Sequence, residues 1–158
     1  MEKEKDLSQV HADENLTVAP NKRIGIVTSE WNSEITFSLR ESCIQTLMEH
    51  GVKAKRIHSV TVPGSFELAL AAQQLIQKEG MDAVICLGCI IQGETRHFEF
   101  IAQATAQGIM NVGLENNTPV IFGVLTTQNE AQAKDRAGGS HGNKGVEAAY
   151  TCMKMLSI

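Results

Sequence analysis

Nine consecutive residues without a charge, Ala83–Ile91 (AVICLGCII), constrain the fold more than any other stretch of this chain. A strand that reads as continuously apolar, rather than alternating, is one whose two faces are both covered. That is the signature of a central parallel strand in a layered α/β domain. The run stops at Gln92-Gly93, and His97 follows near the first turn of the next helical segment. A glycine-opened loop and a titratable side chain therefore sit together where a buried strand ends. Open α/β sheets bind their ligands at that edge.

The rest of the chain alternates in the same manner. Arg23–Ser29 reads as a short apolar strand. From Ser33 to His50 the residues Ile35, Leu39, Cys43 and Leu47 recur at helical spacing, with Gly51 as a stop. Lys53–Val60 reads as a second strand. Pro63-Gly64 makes a turn, and Ser65 is placed to cap a helix running to about Lys78. A third helix is expected from about His97 to Asn111, weakened toward its end by Gly108 and Gly113. Pro119–Thr126 is the fourth strand. Two helices follow, at about Asn129–Ala137 and Lys144–Met155, broken at GGSHGN. The order implies a three-layer α/β/α sandwich around a four-stranded parallel sheet.

With 158 residues, the chain suits one domain with a sizeable core. A net charge of −4 argues against a nucleic-acid surface, and no apolar run approaches a membrane span. The first twenty-two residues lack the apolar centre of a signal peptide and read as a polar, disordered arm, leaving 23–158 as the domain. Cys86 and Cys89 form a C-x-x-C, but within a strand their side chains face opposite sides. No second cysteine pair stands close enough for zinc, so buried small residues are expected, with no metal and no cofactor.

Several residues could carry chemistry. Histidine titrates near neutrality and can both accept and donate protons, which makes His97 the acid/base candidate. Gly93, Glu94 and Thr95 could offer backbone amides to an anion, although the Glu94 charge opposes it. Arg136 and Lys144 flank AGGSHGN and read either as solvated charges or as phosphate ligands. Trp31, the single tryptophan, lies in the first loop beside Asn32. Its indole can stack on a flat heterocycle or cover the core, and the amide can bond a ring edge. Glu67 reads as a helix-start residue favoured by the dipole or as an acceptor for a polyol. Phe122 falls mid-strand, where core is the default. His11, His50, His58 and His141 show no constellation.

Taken together, IGIVTSEWN, VPGSFELALAA, DAVICLGCIIQGETRHFEF, PVIFGVLTT and RAGGSHGNKG resemble the lumazine synthases of riboflavin biosynthesis, in their order and spacing. The resemblance implies a flavodoxin-like fold. It also implies condensation of 5-amino-6-ribitylaminouracil with 3,4-dihydroxy-2-butanone 4-phosphate to 6,7-dimethyl-8-ribityllumazine. Position by position, it implies that Trp31 and Asn32 meet the pyrimidine. Ser65, Phe66 and Glu67 would line the ribityl chain and heterocycle. Cys89, Ile90 and Ile91 would line the pyrimidine site, and Gly93, Glu94 and Thr95 the phosphate loop. His97 would transfer protons, Arg136 would bind phosphate with Lys144 near it, and Phe122 would come from a neighbouring subunit.

The resemblance further implies a cytoplasmic enzyme built as pentamers, with a hollow icosahedral shell as the larger assembly and riboflavin synthase as a partner. Gln92, Gln128 and the pair Ser140-His141 depart from the usual pattern, without removing a residue given a chemical role. A binding module for flavins or pyrimidines, or a purely structural shell protein, is the rival. Neither rival needs His97, Arg136 and Lys144 together.

Overall fold

A computed structural model describes residue 13 and residues 15–158. Four strands make the main sheet: β1 (Ile24–Ser29), β2 (Ile57–Val62), β3 (Ala83–Ile91) and β4 (Val120–Thr127). Their order is β2-β1-β3-β4, and every pairing is parallel. Helices α1 (Ser33–Glu49), α2 (Leu68–Glu79), α3 (His97–Asn116), α4 (Glu130–Asp135) and α5 (Lys144–Leu156) complete the chain. A small antiparallel pair, β5 (Ala137–Gly139) and β6 (Gly142–Asn143), joins α4 to α5.

The alternation of side chains along each strand builds two cores, one on each face of the sheet. Ile24, Ile26, Ile85 and Leu87 pack with Leu39, Cys43 and Leu47 of α1 and with Ala149 and Cys152 of α5. Val27, Val84 and Cys86 pack on the other face with Leu68, Ala72 and Leu75 of α2 and with Ile109 and Val112 of α3. Burying each large aliphatic side chain stabilises by about 1.5–3 kcal/mol. These two sets make the three-layer sandwich that the pattern predicts, in the flavodoxin-like arrangement that the resemblance implies. Cys86 and Cys89 fall in opposite cores, as expected for residues three apart on a strand. Gly145 lets α5 approach α1: a Cβ there would lie 2.1 Å from the Leu39 carbonyl oxygen.

Several expectations are corrected. The second strand starts later than Lys53, because Ala54–Arg56 closes a 3-10 turn first. Ser65 does not cap α2. Ser65–Glu67 is itself a 3-10 turn, and the Glu67 carboxylate accepts the Gly64 N–H at 3.0 Å. Helix α3 runs through Gly108 and Gly113 to Asn116, and the left-handed Asn117 ends it. Both glycines sit where a side chain would press on a neighbour: Ala69 Cβ at 3.1 Å and the Thr118 carbonyl at 3.2 Å. Phe122 is not core but 40% exposed, because β4 is an edge strand. The fourth helix is shorter than Asn129–Ala137, since the chain turns into the β5–β6 hairpin.

The arm expected over 1–22 lies mostly outside the described residues. Of its described part, Leu16 and Val18 pack against the α1 and α5 core.

Candidate active site

Strand order reverses between β1 and β3, and ligand clefts in such sheets open at the C-terminal ends of the strands at that point. The loop after β1 is tied to the loop after β2 by two backbone bonds. Glu30 N–H donates to the Val62 carbonyl at 2.8 Å, and Trp31 N–H to the Pro63 carbonyl at 3.0 Å. Asn32 adopts the left-handed conformation, φ 60°, which asparagine tolerates better than most residues. Its side-chain amide donates to the Cys89 carbonyl at 3.1 Å, fastening this loop to the end of β3. Thr36 Oγ1 donates to the Ser29 carbonyl at 2.6 Å and holds the start of α1 under the same loop.

A cavity of about 250 Å³ opens there. Trp31, Asn32, Ser65 and Phe66 form one wall, and Cys89, Ile90 and Ile91 the floor. Gly93, Thr95 and His97 close it from the loop after β3, with Phe98 and Ile101 of α3 behind them. The Trp31 and Phe66 rings are more than half exposed, at 66% and 61%, so each offers a flat face at the rim. Between them the Ser65 hydroxyl is buried and makes no hydrogen bond. Its Oγ has essentially no exposed surface and lies against β3, so the hydroxyl belongs to the packed wall of the cavity. Gly88 leaves the room behind it, since a Cβ there would lie 2.6 Å from Ser65 Oγ. Burial, with a smaller contribution from the charge of Glu130, pushes the Cys89 thiol up to about 11, so it lines the floor as a neutral group. His97 is exposed at the first turn of α3, its N–H directed to Thr95 Oγ1 at 3.4 Å.

Ten of the residues singled out from the sequence thus share one cavity. Five do not line it. Glu67 turns its carboxylate back to the Gly64 amide, and Glu94 lies outside on the exposed loop. Arg136 and Lys144 line a separate cavity of about 180 Å³ beside the end of β4, together with Thr126, Thr127 and Glu147. Arg136 is steadied by donating to the Gln132 carbonyl at 3.0 Å, and Lys144 Nζ lies 3.5 Å from a Glu147 carboxylate oxygen. Phe122 adjoins the same group: it and Lys144 line one groove along the β4 edge.

The sequence reading missed His141, which the hairpin brings to the wall of the second cavity. Its only sequence signal was its place in the segment flanked by Arg136 and Lys144. Among the described residues no three His, Cys, Asp or Glu side chains gather as a metal site requires. No helix among them is long and apolar enough to cross a membrane.

Residues 21–158 match the family described as 6,7-dimethyl-8-ribityllumazine synthase. Three curated relatives carry that same description. The protein from Cytophaga hutchinsonii is 56% identical, over 92% of this chain and 96% of its own. The one from Phocaeicola vulgatus is 51% identical, over 89% and 83%. The one from Porphyromonas gingivalis is 48% identical, over 92% and 90%.

Proposed function

The chain belongs to the lumazine synthase family, and we propose that it carries out the family's condensation in a site that two neighbouring copies complete. The amine of 5-amino-6-ribitylaminouracil adds to the ketone of 3,4-dihydroxy-2-butanone 4-phosphate and loses water to give an imine. Proton removal and loss of phosphate follow. Ring closure then releases a second water and gives 6,7-dimethyl-8-ribityllumazine. No electron is transferred overall. Holding the two reactants together supplies much of the acceleration.

The observation that carries the reading is the division of the site residues. One side of the chain offers a rim of exposed aromatics and His97 around a single cavity. The other side offers Arg136, Lys144 and the exposed Phe122 along the free edge of β4. Each part lacks what the other has. In this reading Trp31 stacks on the pyrimidine, and Asn32, anchored by its amide to β3, presents its carbonyl oxygen. Ser65 and Phe66 line the ribityl chain and heterocycle, and Glu67 holds their turn through its bond to Gly64. Backbone groups of Cys89, Ile90 and Ile91 meet the heterocycle. His97 takes and returns the protons of imine formation and elimination. Gly93, Glu94 and Thr95 approach the phosphate that Arg136 and Lys144 of a neighbouring copy neutralise, while that copy's Phe122 covers the ring.

Large apolar side chains on both sides support association. Phe66 at the first cavity, Leu70 and Phe100 are exposed, and so are Met110, Leu114 and Met155, which share a groove with Phe122. Head-to-tail contacts of this kind close into rings, and a pentamer, with a shell as its extended form and riboflavin synthase as a guest, is the assembly proposed. All four cysteines are free and buried, which suits a reducing cytoplasm.

The test is lumazine formation from the two substrates, followed by absorbance. Arg136→Ala should raise KM for the butanone phosphate with pyrimidine binding intact. An unchanged KM would remove Arg136 from the phosphate site, and no acceleration by the unaltered protein would refute the reading.

A further inference from the structure

The cavity beside β4 holds a basic side chain that the proposed mechanism does not use. His141 stands at the turn of the β5–β6 hairpin and lines the cavity with Arg136 and Lys144. The hairpin is held in place around it. Its amide donates to the Asp135 carbonyl at 2.9 Å, and the Lys144 amide donates to the Arg136 carbonyl at 2.9 Å. The imidazole is oriented as well. Nδ1 lies 3.1 Å from Ser140 Oγ and 3.9 Å from an Asp135 carboxylate oxygen. With Nδ1 so engaged, Nε2 is the ring nitrogen left to meet a ligand.

The charges lining the cavity are Arg136, Lys144 and Glu147, and Glu147 sits against Lys144. Those three leave one net positive charge for a phosphate monoester that carries nearly two negative ones. His141 adds a ring N–H donor to them at the cavity wall. Its acidic neighbour Asp135 stands on the Nδ1 side and does not line the cavity. We propose that His141 is a third ligand for the phosphate of the butanone phosphate, donating from Nε2 beside the guanidinium fork of Arg136 and the ammonium of Lys144. The inference rests on the reading of this cavity as the phosphate site.

The experiment compares the unaltered protein with Arg136→Ala, His141→Ala and His141→Lys. It measures KM for each substrate and the inhibition constant of inorganic phosphate. His141→Ala should raise KM for the butanone phosphate about tenfold, as loss of one charge-assisted hydrogen bond predicts, and the phosphate inhibition constant with it. KM for the pyrimidine should not move. His141→Lys returns a hydrogen-bond donor to the position and should recover most of both losses.

If Arg136→Ala weakens both constants and His141→Ala neither, His141 is not a ligand and the phosphate reading stands. If neither variant has an effect, the phosphate reading itself fails. A rise in the phosphate constant alone limits His141 to the free ion and overturns its role toward the substrate. An equal rise in both substrates' KM, with no recovery in His141→Lys, marks a structural role and also overturns it.

Discussion

The Asn32 side-chain amide donates to the Cys89 carbonyl across 3.1 Å, linking the loop after β1 to the last turn of β3. This bond ties the wall that carries Trp31 and Asn32 to the floor of the first cavity. Asn32 also holds φ at 60°, so glycine can replace it without backbone strain while removing the amide. Asn32→Gly should therefore leave the melting temperature nearly unchanged and weaken binding of the ribitylaminopyrimidine about three- to tenfold. Quenching of Trp31, the chain's only tryptophan, reports that binding directly. Unchanged affinity would mean that the loop is held without Asn32.

His97 should matter to rate and little to pyrimidine binding. General acid–base groups contribute about 10²–10⁴-fold, and a reaction dominated by proximity would fall at or below the lower end. Single-turnover measurements on His97→Ala separate the two effects. A normal rate would end the proton-transfer assignment.

The four cysteines should be inert in the folded protein. Burial raises the Cys43 thiol far above its ordinary value of 9.0, with a smaller contribution from Cys152, and pushes Cys86 and Cys152 up to about 12. A disulfide reagent at pH 8 should label essentially none of the four until denaturant is added, with Cys89 at the cavity floor the first to react. The sign of the pH effect follows. A thiol whose folded value is raised holds its proton more tightly when folded. Its contribution is complete below about pH 9 and is lost progressively as pH rises toward about 12. Denaturation midpoints should fall across that window, and a flat profile would contradict the burial.

Gly145 packs against the backbone of α1, and a Cβ there would meet the Leu39 carbonyl oxygen at 2.1 Å. Gly145→Ala should cost about 1–3 kcal/mol, typical of overpacking. It should also displace Lys144, so the activity loss should exceed that of an equally destabilising change such as Ile85→Val on the sheet. Denaturant titration with a paired activity assay checks both.

The central strands were legible because burial on both faces leaves no ambiguity: Ala83–Ile91 reads as one apolar run and has exactly one role in the sheet. The edge strand β2 was harder, whereas β4 fell within one residue of its expected bounds. Residues of β2 are half exposed, so alternation blurs, and the 3-10 turn at Ala54–Arg56 looks extended in sequence. Glycine propensity misleads in α3, where Gly108 and Gly113 serve close packing against Ala69 and Thr118. The loops after β1, β2 and β3 could be seen to converge, since topology brings them to one edge. That Arg136, Lys144 and Phe122 lie apart from those loops depends on the β4 edge and the hairpin, which local pattern does not encode. His141 stayed hidden for the same reason: Gly138 and Gly142, both at positive φ, fold it back toward Arg136.

The most direct test is complementation between two inactive proteins. Trp31→Ala disables the first cavity, and Arg136→Ala the second. Each alone should make lumazine slowly. Assembled together at equal amounts, they should recover about a quarter of the unaltered rate, because about one interface in four then joins two intact halves. Recovery of that size is the predicted result. A mixed assembly no faster than the two variants alone would contradict a site completed by neighbouring copies.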